Sequence, residues 1–263
     1  MTDLYLYQNL HLLHGRVRQL ERHVALLDRC SCELFGMHYA PDLQQLERRI
    51  LAASAGRHDA GALSSFVRLE WSAAGAERLT PAGRSYYEGY ALRSILRRGV
   101  TLRCDPPLNA YPTPAREAAA AAARRMAQCA GGEVAVLCGS DGSYHTAEGA
   151  PLAIVQDHTV CLPPEGVPYT IPAGGPDVDG RQLTGHRFDV PRSVEYELLA
   201  EAVQAAGLRL EERAVSPDER PRIDELFWLD HCGITALSHL DGRPLMSLLA
   251  ERVADALEQK FRK

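Results

Sequence analysis

Residues 109–125 read NAYPTPAREAAAAAARR, and the organisation of the chain follows from how that stretch divides. Pro112 and Pro114 force an extended lead-in, because proline fixes its own φ and restricts the residue before it. Six alanines, Ala118 to Ala123, then carry the best intrinsic helix propensity. Arg116 sits at the junction. The first turn of a helix presents bare N–H groups with partial positive charge, which disfavours a cation by about 0.3–1 kcal/mol. Two arrangements offset that cost: solvent or a nearby acid, or a cleft in which Arg116 meets an anion.

Outward from this helix, Asp105-Pro106-Pro107 is a break. It suggests an N-terminal α/β domain over residues 1–104, a linker over 105–112 and a second domain over 113–263. In the first part, residues 4–14 are strand-like, 17–35 and 43–53 have helical apolar spacing, and 65–72 alternate as a half-buried strand does. A further strand is expected within 92–104. Beyond the alanines, Gly131-Gly132 stops the helix, and strands are expected at 133–138, 152–156 and 159–162, with an Asp141-Gly142 hairpin turn between the first two. Residues 163–191 are rich in Pro and Gly and read as a loop. A helix over 194–206, strands at 208–215 and 225–229, and a helix over 243–261 complete an α+β pattern with a cleft between its halves, the usual place for a small-molecule site.

Composition narrows the function classes. The 263 residues are 46% apolar and 24% charged, with a formal net charge of −5, which suits a globular domain and gives no reason to expect nucleic acid. There is no run of about 18 apolar residues, so no membrane span is expected. The start MTDLYLYQNLHLLHGRVRQL has neither a basic opening nor a cleavage site, which makes the cytoplasm the expected compartment. Seven cysteines without a C-x-x-C pair fit reduced thiols. Of 29 basic residues only two are lysines, Lys260 and Lys263, both within the last four positions. No lysine therefore lies within the body of the sequence to form an internal Schiff base.

The order of motifs resembles the class IV aminotransferase family, which includes branched-chain and D-amino-acid transaminases and aminodeoxychorismate lyase. The pieces that carry the resemblance are PTPAREAA, EVAVLCGSDGSYHTAEGAPLAIVQDHTVCLPP, EYELLAEAVQAAGLRL and IDELFWLDHCGITAL, with GRVRQLERHVALLDRCSCELFG in the first half. It implies a two-domain fold, with a small α/β N-terminal domain and a larger pseudo-barrel domain enclosing an interdomain cleft. It also implies pyridoxal phosphate as the family cofactor, and a homodimer. Carried over position by position, the Schiff-base lysine becomes Arg116, whose guanidinium cannot serve as that amine. The ring carboxylate falls on Thr146, or on Glu148 after a two-residue shift. The phosphate loop before a helix falls on Ser193-Val194-Glu195-Tyr196, and the second phosphate loop on Asp230-His231-Cys232-Gly233. Ile234-Thr235 matches the family's closing I-T and adds Thr235 to the ligand-binding candidates.

The resemblance thus points to a diverged member without internal-aldimine chemistry. It would bind a small anionic molecule, such as an amino or keto acid, with no catalytic residue assigned. One alternative is an active transaminase or aminodeoxychorismate-type lyase that holds the cofactor noncovalently; another is a structural or partner-binding relic. Other motifs have plainer readings beside functional ones. Asp230-His231-Cys232 could be a nucleophile or ligand set only if the loop curls, since neighbours on a strand point to opposite faces; His145 and His186 could join it. H-x-x-x-H and C-x-x-C spacings are absent, so no metal is expected. His23 fits a packed structural histidine, and Tyr86 to Tyr90 fit either cleft lining or domain packing.

Overall fold

The computed structural model describes residues 4–54, 63–85, 92–105, 111–166, 169–171 and 185–261. Tyr86 to Tyr90, Pro106 to Ala110 of the linker, and Lys263 lie outside these residues.

The first 85 residues build one sheet with two helices on it. Strand β1 (Tyr5–Leu13) turns through His14-Gly15 into the two-residue β2 (Arg16–Val17). Helix α1 (Leu20–Phe35) therefore begins three residues later than the apolar spacing suggests. It ends at Gly36, whose φ of 64° suits the left-handed cap. Helix α2 (Leu43–Ser54), β3 (Ser64–Ser72) and β4 (Glu77–Ser85) follow. The strands are antiparallel in the order β2-β1-β3-β4. Leu6, Leu10 and Leu12 of β1 and Val67 and Leu69 of β3 meet Val24, Leu27 and Cys30 of α1.

Strand β5 (Arg93–Arg103), on the N-terminal side of the Asp105 break, belongs to the second sheet. After it come α3 (Pro114–Cys129), β6 (Val134–Cys138), β7 (Tyr144–Ala147), β8 (Ala150–Gln156) and β9 (Thr159–Leu162). Two short strands, β10 (Tyr169–Ile171) and β11 (His186–Phe188), pair within the stretch read as loop. Then come α4 (Val194–Ala205), β12 (Arg209–Glu212), β13 (Glu225–Asp230), β14 (Gly233–Leu240), β15 (Arg243–Pro244) and α5 (Leu248–Phe261). The last helix starts after Arg243 because Arg243 and Pro244 pair back onto β14.

Six strands close on themselves in the order β8-β13-β14-β5-β6-β7 and back to β8, forming a barrel. Its filling follows the two-residue period of strands. Val134, Val136, Leu152, Ile154, Leu226, Trp228 and Leu237 point inward. The intervening Ala135 and Leu137 meet Ala123 and Ala127 of α3, so the alanine run serves as a thin helix laid close on the barrel wall. Ala153, Val155, Phe227 and Leu229 join a second layer with α4 and α5, which is continuous with the core of the first sheet. Glu225, itself buried, caps α5: its carboxylate accepts from the amides of Leu249 (2.9 and 3.0 Å) and Ala250 (3.0 Å). No helix among the described residues is long and apolar enough to cross a membrane.

Candidate functional site

Five parts of the chain converge on a cleft of about 560 Å³ between the first sheet and the barrel. Strand β1 contributes Tyr7 and Asn9, the start of α3 contributes Arg116 and Glu117, the β7–β8 turn contributes Thr146 and Glu148, and the starts of α4 and of the β13–β14 turn contribute Ser193, Glu195, Asp230 and His231. Seven of the eight candidates from the sequence thus share one wall or another of a single cavity. Thr235 does not. It is buried on β14 opposite Trp228, behind the turn that carries Asp230 and His231, and is not in the lining.

Arg116 is half-buried at the cleft wall, and a backbone carbonyl anchors it. Its Nη2 donates to the carbonyl oxygen of Gly149 at 2.5 Å, which ties the first turn of α3 to the β7–β8 turn. Glu148 sits in that turn with φ 55°. Its carboxylate accepts from the Ala135 amide (3.0 Å) and from Arg124 Nε. Glu148 is thus committed to the turn on both oxygens. Thr146, two residues earlier, is buried in the cleft wall, and its hydroxyl has no hydrogen-bond partner among the described residues.

The start of α4 is where an anion would be stabilised, because the amides there are unpaired. That place is filled from within the chain. Glu165 Oε2 accepts from the Ser193 amide (3.0 Å) and from the Ser193 hydroxyl (2.7 Å), while Ser193 Oγ accepts from the Tyr196 amide (3.2 Å). Sequence reasoning missed Glu165, since it lies in an irregular stretch with no period to mark it. Gly166 lets it reach: φ is +70°, and a Cβ there would come within 3.0 Å of the Val190 carbonyl oxygen. Glu195, in the first turn of α4, shares the cavity. Burial, Glu165 and Asp230 raise its carboxyl to about 7, against the pull of Arg116. The cleft is therefore rich in carboxylates around two arginines, Arg116 and Arg124, of which Arg124 is paired with Glu148.

The loop at Asp230 does curl. The Cys232 amide donates to Asp230 Oδ1 (2.7 Å), and ligand atoms of Asp230, His231 and Cys232 lie within 4.8 Å of one another. The ring of His231 meets Phe66 edge-on at 5.1 Å. His23 takes the structural role: its Nδ1 lies 2.7 Å from Gln8 Oε1, and burial with the nearby His231 lowers it to about 3, so it stays neutral. His145 also lines the cleft, yet its Nε2 faces both Ser143 Oγ (3.3 Å) and Asp141 Oδ1 (2.9 Å), and Ser143 Oγ gives its proton to Asp141 Oδ2 (2.6 Å). One nitrogen contacting both partners cannot relay a proton between them. Of His186 only the backbone, in β11, is described. Arg68 braces the rim, with bidentate 2.8 Å bonds to Glu117, a 2.8 Å bond to Glu70, and its guanidinium 3.9 Å over the Tyr7 ring.

This arrangement of barrel, flanking sheet and intervening cleft recurs in solved structures. An aminotransferase from Brucella abortus bound to the cofactor PLP matches with a TM-score of 0.72 at 14% identity, over 98% of this chain and 88% of that one. This is the class IV aminotransferase fold. A putative 4-amino-4-deoxychorismate lyase from Legionella pneumophila shares it with a TM-score of 0.72 at 12% identity, over 97% and 90% of the two chains. A branched-chain aminotransferase from the archaeon Thermoproteus uzoniensis, with norvaline, shares it with a TM-score of 0.72 at 13% identity, over 97% and 84%. No family model and no curated protein matches the sequence. Within the class IV aminotransferase fold of this chain, the cleft lining contains no lysine among the described residues; of Lys260 only the backbone, in α5, is described.

Proposed function

We propose that the chain uses this cleft to bind a small zwitterion, with a carboxylate on Arg116 and an ammonium among Glu165, Glu195 and Asp230, and that it does so without imine-linked pyridoxal phosphate. The carrying observation is the Glu165 carboxylate seated at the start of α4. A phosphate entering there would displace one carboxylate and lie beside two more. At close range in a partly dry site, like charges repel by several times their strength in water. The cofactor also wants a primary amine, and the position that the resemblance gives to that amine holds Arg116. The lining residues thus do not fit pyridoxal phosphate. They do fit a molecule that brings its own cation to the acids. An α-amino acid is the simplest such ligand, and a keto acid lacks the second half of the match.

One observation favours a noncovalently held cofactor as the second reading. The unpartnered Thr146 hydroxyl stands where the resemblance puts the partner of the ring nitrogen. A hydroxyl carries no charge to keep that nitrogen protonated, so the electron sink would be weak.

The test has two arms. The protein is mixed with pyridoxal phosphate, desalted and scanned in the visible range; no borohydride-sensitive band should remain. Calorimetric titration should then show an α-amino acid binding more tightly than the matching keto acid, with Arg116→Gln weakening it at least about tenfold. A retained yellow band that amino acids discharge would refute this proposal and establish the second reading. Equal binding of amino and keto acid would refute the role given to the acids.

A further inference from the structure

On the far end of α1, away from the cleft lining, three different metal-ligating side chains face one another. Asp28 and Cys32 are one helical turn apart on the same face. The left-handed cap at Gly36 folds the chain back, so that His38 lies alongside them. The geometry points to a site for a divalent cation of the zinc type, bound by Cys32 Sγ, His38 Nδ1 and Asp28 Oδ1.

The spacing carries the argument. His38 Nδ1 lies 3.2 Å from Cys32 Sγ and 3.1 Å from Asp28 Oδ1, and the sulfur lies 3.8 Å from the same oxygen. Zinc bonds of about 2.0–2.3 Å in tetrahedral array set their donors roughly 3.3–3.8 Å apart. The triangle needs only a few tenths of an ångström of adjustment to accept the ion. Without a metal, hydrogen bonds hold the triangle: with Nδ1 protonated, both that nitrogen and the Cys32 thiol can donate to Asp28 Oδ1. Zinc would take the place of those two protons. A cation at the centre meets a lone pair from all three at once.

The surroundings suit a bound ion. The Tyr39 amide donates to Asp28 Oδ1 at 2.8 Å, which fixes the carboxylate, as outer hydrogen bonds do for metal ligands. His38 is exposed, so the ion can enter from solvent and water can complete the coordination. Thiolate, imidazole and carboxylate together select zinc over magnesium or calcium. Cys32 binds as thiolate, and its proton passes to solvent.

The full-length reduced protein, freed of metal, is titrated with zinc against a chromophoric chelator, and with cobalt(II) to read the thiolate-to-metal absorption band. One equivalent of zinc should bind, with the cobalt band present. Cys32→Ser should abolish the band, and Cys32→Ser and His38→Ala should each weaken zinc at least about tenfold. Cys232→Ser, in the other Cys-His-Asp cluster, should leave binding unchanged. Circular dichroism of each variant checks folding. Absence of zinc binding would overturn the assignment, and so would binding that survives Cys32→Ser and His38→Ala or is lost in Cys232→Ser. The cleft reading stands or falls separately, since no ligand of this site lines the cleft.

Discussion

Replacing Glu195 by Gln should stabilise the unliganded protein, by an amount that grows from pH 4.5 and is complete above neutral pH. The carboxyl of Glu195 is raised from its ordinary 4.5 to about 7, first by burial and then by Glu165 and Asp230. Between these two values the folded protein holds a proton that the unfolded chain has released. Stability therefore falls as pH rises from 4.5 towards 7, and the full cost remains above that. A shift of this size corresponds to about 3 kcal/mol at 1.36 kcal/mol per unit. The cleft is open to water on one side, which reduces the cost to about 1–3 kcal/mol. Gln keeps the size and polarity and removes the charge. Urea unfolding of both proteins at pH 4.5 and pH 8 isolates the effect, because titrating groups that do not couple to Glu195 cancel between them. The variant should gain about 1–3 kcal/mol at pH 8 and nearly nothing at pH 4.5. At about 2–4 °C per kcal/mol the difference should also be visible as a rise in Tm. A gain independent of pH, or a loss at pH 8, would refute the placement of an acid-flanked carboxyl in this cleft.

Three further outcomes follow from the same geometry. Glu165→Gln removes the charge at the start of α4 and should raise affinity for inorganic phosphate, read by calorimetry; unchanged affinity would mean that Glu165 does not guard that place. Glu225→Ala leaves the Leu249 and Ala250 amides of α5 without their buried acceptor and should cost about 2–3 kcal/mol in urea unfolding. Arg68→Ala breaks a fork to Glu117, a bond to Glu70 and the stacking on Tyr7. It should cost about 2–3 kcal/mol, of which Arg68→Lys recovers only a part because it cannot make the fork.

Local pattern was enough to read β1, α1, α2, α3, β6 and α4, where an apolar period or an alanine run acts over a few residues. It was not enough for β4. That strand contains Pro81 and Gly83, which usually mark turns. Here β4 is the edge of its sheet, pairing only with β3 among the described residues, and an edge tolerates them. Strand β14, GITALSHL, is built of small and polar residues and lacks clean alternation, yet it is buried by its neighbours on both sides. The alignment of motifs brought seven of eight candidates to the cleft, because those positions follow the chain order of the fold. Thr235 lies outside the lining, since matching an I-T pair says nothing about which side of the turn faces the cavity. Glu165 was invisible because its role depends on a helix start 28 residues further along.

The ring of strands has a temporal consequence. Strand β5 is bordered on one side by β14, more than a hundred residues later in the chain. During synthesis the earlier strands emerge long before that neighbour exists, and the ring cannot shut until Leu240 has left the ribosome. Until then β5 offers a bare backbone edge of the kind that recruits other chains. A message cut short before residue 240 should therefore yield inclusion bodies rather than a smaller working protein, and the rate of maturation should be set by the last quarter of translation.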